Sequence, residues 1–143
     1  MKVLSISLLA IGILAIGSCN SPGNPKNPEA EKAALEAANN WLKLVDDRNY
    51  DRSWQEAASY FKTRVPQAEW ERTMKSQREP FGNNISRSLK SKQYRTSLPG
   101  VPDGEYVVIQ YQSSFDNKKF AIETVTPMLD RDGKWRVSGY FIK

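Results

Sequence analysis

The apolar positions of the chain fall into three regimes: a continuous run at the start, a helical period through the first half and alternation through the second. Ala30, Ala34, Ala38, Trp41 and Val45 recur at steps of three or four, while Glu31, Lys32, Glu36 and Lys43 lie mostly off that stripe. Asn27-Pro28-Glu29 supplies a cap, a proline preorganised for the first helical position and a charge suited to the helix dipole. A helix over 28–45 is expected, broken by Asp46-Asp47-Arg48-Asn49. Tyr50, Trp54, Ala57, Ala58 and Phe61 repeat the spacing, so a second helix of about three turns is expected. Pro66 opens a third helix with Trp70, Met74 and Gln77 inward, and Pro80 ends it by removing a donor.

From Asn84 the period becomes two, punctuated by Pro99-Gly100, Asp103-Gly104, Asp116-Asn117 and Asp132-Gly133. Strands are expected near 84–98, 105–115, 120–129 and 134–142, joined as an antiparallel meander. Three helices before four strands predict an α+β domain, with the helices packed on one face of the four-stranded sheet. Setting Phe115 opposite Phe120 and Asp130 opposite Trp135 gives each side chain a face. Val107, Ile109, Tyr111, Phe115, Phe120, Ile122, Met128, Trp135, Val137 and Phe141 then turn to the helices. Tyr106, Val108, Glu123, Val125, Leu129, Tyr140 and Ile142 turn to the mixed outer face, and the register of the first strand stays open.

The first regime is of another kind. Met1-Lys2 is a short basic start, Val3 to Ile16 is almost unbroken apolar sequence, and Ile16-Gly17-Ser18 leads into Cys19. A basic start, an apolar stretch too short for the ~20 residues of a membrane span, and small residues before a cysteine make a signal peptide over 1–18. Ile16-Gly17-Ser18-Cys19 resembles a lipobox, which implies a diacylglycerol on Cys19. Cys19 is the single cysteine of the 143 residues, so no disulfide framework competes for it. Residues 19–27 form a tether, in which the stretch 20–27, rich in Pro, Asn and Gly, reaches about 26 Å at ~3.3 Å per residue. Residues 28–143 form a single domain held near a bacterial membrane, and Asn20 in place of an aspartate after the cysteine favours the outer membrane facing the periplasm.

Charge alters this picture only locally. Losing Lys2 with the signal peptide leaves 20 basic against 16 acidic residues, yet nine basic and three acidic residues lie between 62 and 95. Anionic lipid head groups are the partners available to such a segment. Nucleic acid is excluded, since an exported protein does not meet it and no recognition motif is present. The chain has no histidine, which removes the commonest general base and metal ligand; no metal site, cofactor or catalytic residue is assigned. Glu123 is the one acid in mid-strand, and a structural role is expected for it. Arg78 and Arg87 flank Pro80-Phe81-Gly82 as a pair able to hold an acidic group, or to bridge Glu79 or Glu123. Trp54, with Trp41, Trp70 and Trp135, is a candidate wall for a ligand, against a plain core role. Tyr140 on the mixed sheet face is a candidate contact for a homodimer through that face.

Five stretches resemble a family of small bacterial envelope proteins known only as a domain of unknown function. They are Trp41–Asp46, Tyr50–Trp54, Arg78–Gly82, Leu98–Tyr106 and Asp132–Phe141. The resemblance implies a nuclear-transport-factor-like or cystatin-like α+β build and transfers no catalytic residue. The function expected is that of a non-enzymatic envelope lipoprotein, a binding or assembly module. The alternatives are a binder of a small ligand in the cone between helices and sheet and, more remotely, an isomerase-like enzyme.

Overall fold

The computed structural model describes residues 25–143. The expected signal peptide over 1–18, Cys19 and most of the expected tether over 19–27 lie outside the described residues. Helix α1 (Pro28–Asp46) begins where the sequence places it, with the Asn27 side chain accepting the N–H of Ala30 at 3.1 Å. Its stripe of Ala30, Ala34, Ala38, Trp41, Leu42 and Val45 is buried. Arg48 closes the helix in the left-handed region (φ 58°).

The expected second helix is two: α2 (Tyr50–Gln55) and α3 (Ser59–Arg64). The cause is long-range. Ala58 turns extended and donates its N–H to Val137 O at 2.8 Å. The next N–H, of Ser59, is capped by the Asp130 carboxylate 71 residues further on, at 2.9 Å. Helix α4 (Gln67–Gln77) and a 3-10 turn (Glu79–Phe81) follow. Four α-helices rather than three therefore precede the sheet.

Strands β1 (Asn84–Arg95), β2 (Tyr106–Phe115), β3 (Lys118–Leu129) and β4 (Trp135–Ile142) form an antiparallel sheet in sequence order. Two turns of register correct the sequence expectation. Phe115 lies opposite Lys118 across the two-residue Asp116-Asn117 turn, not opposite Phe120. Two-residue turns match the twist of the strands they join, and here a β-bulge follows the turn. Slipping a strand by one residue exchanges its faces. Ala121, Glu123 and Val125 thus point to the helices, and Phe120 is 76 % exposed. In the last hairpin Leu129 faces Trp135, and β4 carries one extra residue between the pairs Pro127–Val137 and Thr126–Gly139. That bulge lets Val137 and Tyr140, three residues apart, face the same core. Tyr140 is therefore a core residue and not part of an outer dimer face.

The core lies between α1 and the sheet. Trp41 sits 5.9 Å from Trp70 and 5.5 Å from Tyr140, ring centroid to ring centroid. Both indole N–H groups converge on fully buried Ser53: Trp41 donates to its carbonyl at 2.8 Å and Trp70 to its hydroxyl at 2.9 Å. The cone between α1 and the sheet is thus filled by side chains, and the open space of the molecule lies elsewhere.

Candidate functional site

Two groups of residues are candidates for chemistry: a buried ion cluster and a cleft beside it. Arg87 enters the cluster from β1 opposite Ser113, and Glu123 from β3 opposite Tyr111 and Ile142. Arg87 Nε reaches Glu123 Oε1 at 2.7 Å, and its two terminal nitrogens hold Asp46 at 2.8 and 3.0 Å. Arg78 joins from the end of α4, donating to Asp46 Oδ1 at 3.1 Å and to Gly82 O at 2.8 Å, with its guanidinium 4.2 Å from the Phe115 ring centroid. Burial opposes the charge of Arg87, yet its hydrogen bonds to Asp46 and Glu123 outweigh that and hold its pKa above the ordinary arginine value.

Glu123 is fully buried. Its Oε1 accepts from Arg87 and the Ser113 hydroxyl; its Oε2 accepts from Arg87 at 3.2 Å and from Tyr140 Oη at 2.7 Å. A carboxylate has about four acceptor positions, and every one is used. Burial, then the charge and hydrogen bond of Glu123, raise the Tyr140 pKa well above its usual value. Two arginines thus balance two carboxylates in one cluster, in which Arg78 Nε is buried without a hydrogen-bond partner. The arginine pair that the sequence offers for an external anion meets Asp46 and Glu123 instead. Glu123, expected on the outer face, is the centre of the core network.

Tyr140 has a second neighbour. It forms part of a cleft of about 420 Å³ between β4, the α3–α4 segment and the β1–β2 connection. Phe61, Val65 and Trp70 line it from the helices, and Leu98 and Val101 from the connection. Tyr106, Thr126 and Phe141 line it from the sheet, with Arg64 and Glu69 as its charged members. The connection is folded back rather than loose: the Thr96 carbonyl accepts the Gly104 N–H at 3.0 Å, and Tyr106 Oη donates to Pro102 O at 2.6 Å. Tyr106, expected on a partly wet face, is 1 % exposed for that reason.

Of the four tryptophans only Trp70 reaches this cleft. Trp54 is tied to α3–α4 by its indole N–H, which donates to Val65 O at 2.7 Å, and Lys62 lies 5.9 Å from its ring centroid. Sequence reasoning missed Phe61, Val65 and the Leu98–Val101 wall as cleft residues. A signal existed in Leu98 and Val101, two aliphatic residues on either side of Pro99-Gly100, where a solvated turn needs none. Among the described residues no group of three or more histidine, cysteine or acidic side chains is placed to hold a metal ion. The cleft volume falls within the roughly 300–1,000 Å³ of small-ligand sites, and its wall sets aromatic and aliphatic side chains beside the hydroxyls of Thr73, Thr124, Thr126 and Ser138.

A family model described as a protein of unknown function, DUF4019, matches residues 37–140. No curated protein matches the chain.

Proposed function

We propose that this chain, which belongs to the DUF4019 family of proteins of unknown function, is a membrane-anchored, non-catalytic binding module whose site is the cleft along β4. The observation that carries this reading is the contrast between the two candidates. The buried charges are matched to one another, leaving Glu123 with no free acceptor, while an apolar cleft beside them has no occupant from the described chain. Glu123, the acid that the sequence singled out in mid-strand, would have to come within hydrogen-bond reach of substrate to do acid–base work. Glu123 has 0 % exposure.

Anchoring is the second half of the proposal. No described helix is long and apolar enough to cross a membrane, and a lipid on Cys19 would hold the domain near the surface that the tether allows. The outer membrane, facing the periplasm, is the proposed address. A second copy of the chain, no longer through Tyr140, is a secondary proposed partner, and anionic head groups are met only while the lipid on Cys19 holds the domain at the surface.

The test of the cleft is a fluorescent apolar probe, 1-anilinonaphthalene-8-sulfonate, titrated against the full-length protein. Saturable binding is expected, and Thr73→Trp, which fills the cleft from α4, should weaken it at least tenfold without lowering the melting temperature. Equal binding by wild type and variant sinks the cleft as the site.

A further inference from the structure

β4 is the last strand of the sheet, and only one side of it is paired with β3. In an antiparallel ladder, hydrogen-bonded pairs alternate with pairs whose N–H and C=O groups point away from the partner strand. Ile122 and Lys143 exchange both bonds, at 2.9 and 3.1 Å. The alternation then makes Thr124–Phe141 a bonded pair, and Glu123–Ile142 and Val125–Tyr140 the open ones. The backbone groups of Tyr140 and Ile142 therefore point out from the sheet edge, and they have no partner among the described residues. Tyr140 lies in the cleft wall, with Ser138, Gly139 and Phe141 beside it.

The chain itself shows what this edge accepts. Beyond the bulge, Ala58 runs extended along the same edge and donates to Val137 O at 2.8 Å. This is a single backbone hydrogen bond to β4, short of a strand. The chain then leaves as α3; the Tyr140 rung lies in the wall of the cleft, with Phe61, Val65 and Trp70, and the Ile142 rung follows it along the same edge. An acyl chain or another purely apolar ligand filling that space would strip water from the Tyr140 peptide groups and give nothing in return, a cost of roughly 1–3 kcal/mol per group. An extended peptide supplies an N–H and a C=O for each rung and sends every second side chain toward the aromatic wall.

We infer that the occupant of the cleft is an extended segment of a partner protein, which adds to the edge of β4 beside Tyr140 and Ile142 and packs alternate apolar side chains on Phe61, Val65 and Trp70. This rests on the cleft being the binding site proposed above. The chemistry required of the segment is alternation of apolar and polar residues without proline at the positions that donate to β4.

The experiment uses the full-length protein and blocked hexapeptides that alternate valine or phenylalanine with threonine. Each is paired with a copy methylated on the backbone nitrogens of alternate residues, in either of the two phases. Amide hydrogen exchange of β4 and competition with the anilinonaphthalene probe are read together. The peptides should displace the probe and slow exchange at Tyr140 and Ile142, and methylation in one phase should weaken binding at least tenfold while the other phase leaves it little changed. Thr73→Trp should abolish both effects and melt as wild type does. Loss of neither phase, or probe binding that no peptide displaces, overturns the strand-addition inference and leaves the cleft reading standing. Failure of probe and peptides alike overturns both. Exchange at Tyr140 and Ile142 that slows with protein concentration in the absence of peptide assigns the edge to a second copy of the chain and likewise overturns the inference.

Discussion

Tyr140 links the closed and the open parts of the molecule, since one ring carries a hydroxyl on buried Glu123 and a backbone on the cleft. Its position could not be read from the sequence. Alternation alone puts residue 140 on the face opposite residue 137, and only the extra residue in β4 brings both to the core. A different bulge, in β3 just beyond the Asp116-Asn117 turn, explains why Glu123 looked like an outer-face acid. Ser53 was hidden for another reason: a serine in a helical run gives no hint that two indoles will meet on it. The Tyr140 hydroxyl gives a pH-dependent prediction. Burial raises Tyr50 and Tyr111 to about 12, and burial with Glu123 raises Tyr140 further. Below about pH 10 folded and unfolded chains both keep these protons, and stability is unaffected by them. Above it the unfolded chain releases protons that the folded chain holds, so stability falls as pH rises. Tyr140→Phe should cost about 1.5–3 kcal/mol at pH 8, the value of one hydrogen bond to a charged group. It should also fall less steeply than wild type toward about pH 11. Urea midpoints at the two pH values decide it, and parallel losses would show that Tyr140 does not hold its proton.

The elements themselves were legible where period and punctuation act locally. Helix α1 has its cap, stripe and stop in one stretch, and the meander of four strands follows from alternation between turn pairs. The break between α2 and α3 was not legible, because its cause is a strand edge and an aspartate far along the chain. The slip of β3 has a similar origin: Asp116-Asn117 was visible as a turn, but the choice of a two-residue turn followed by a bulge, instead of a four-residue loop, depends on which side chains the helices can bury. That choice fixes opposite fates for two residues of one strand. Val125, at 0 % exposure, packs in the core, whereas Phe120 stands 76 % exposed. Val125→Lys should destabilise by about 3 kcal/mol or more through an unpaired buried charge. Phe120→Lys should stay within about 0.5 kcal/mol of wild type. Denaturant titration of both variants checks the register directly, and the reverse order would restore the pairing of Phe115 with Phe120.

At the scale of the whole molecule, the excess of basic residues between 62 and 95 does not gather into one surface. Arg78 and Arg87 are taken inward by Asp46 and Glu123, and Lys92 lies 3.5 Å from Glu31. Arg72 and Lys75 ride on α4, which packs on α2 and the 3-10 turn, while Lys90 sits on β1, the sheet edge remote from β4. Each basic residue near an anionic surface adds about 1 kcal/mol at best and fades within a Debye length of roughly 8 Å. Scattered cations therefore cannot replace an anchor. Acyl chains, at about 0.8 kcal/mol per buried methylene, can. Membrane attachment should accordingly depend on Cys19 and hardly at all on the domain's charge. Wild type should fractionate with membranes and carry the mass of a cleaved, acylated chain. Cys19→Ser should remain unprocessed or soluble, and its soluble form should not co-sediment with anionic vesicles at physiological salt. Fractionation, intact mass and vesicle sedimentation measure the three quantities separately. An identical mass shift and membrane share in wild type and variant would remove the lipid from the account, whereas steep, salt-sensitive vesicle binding by the variant would return the anchoring role to the domain's basic residues.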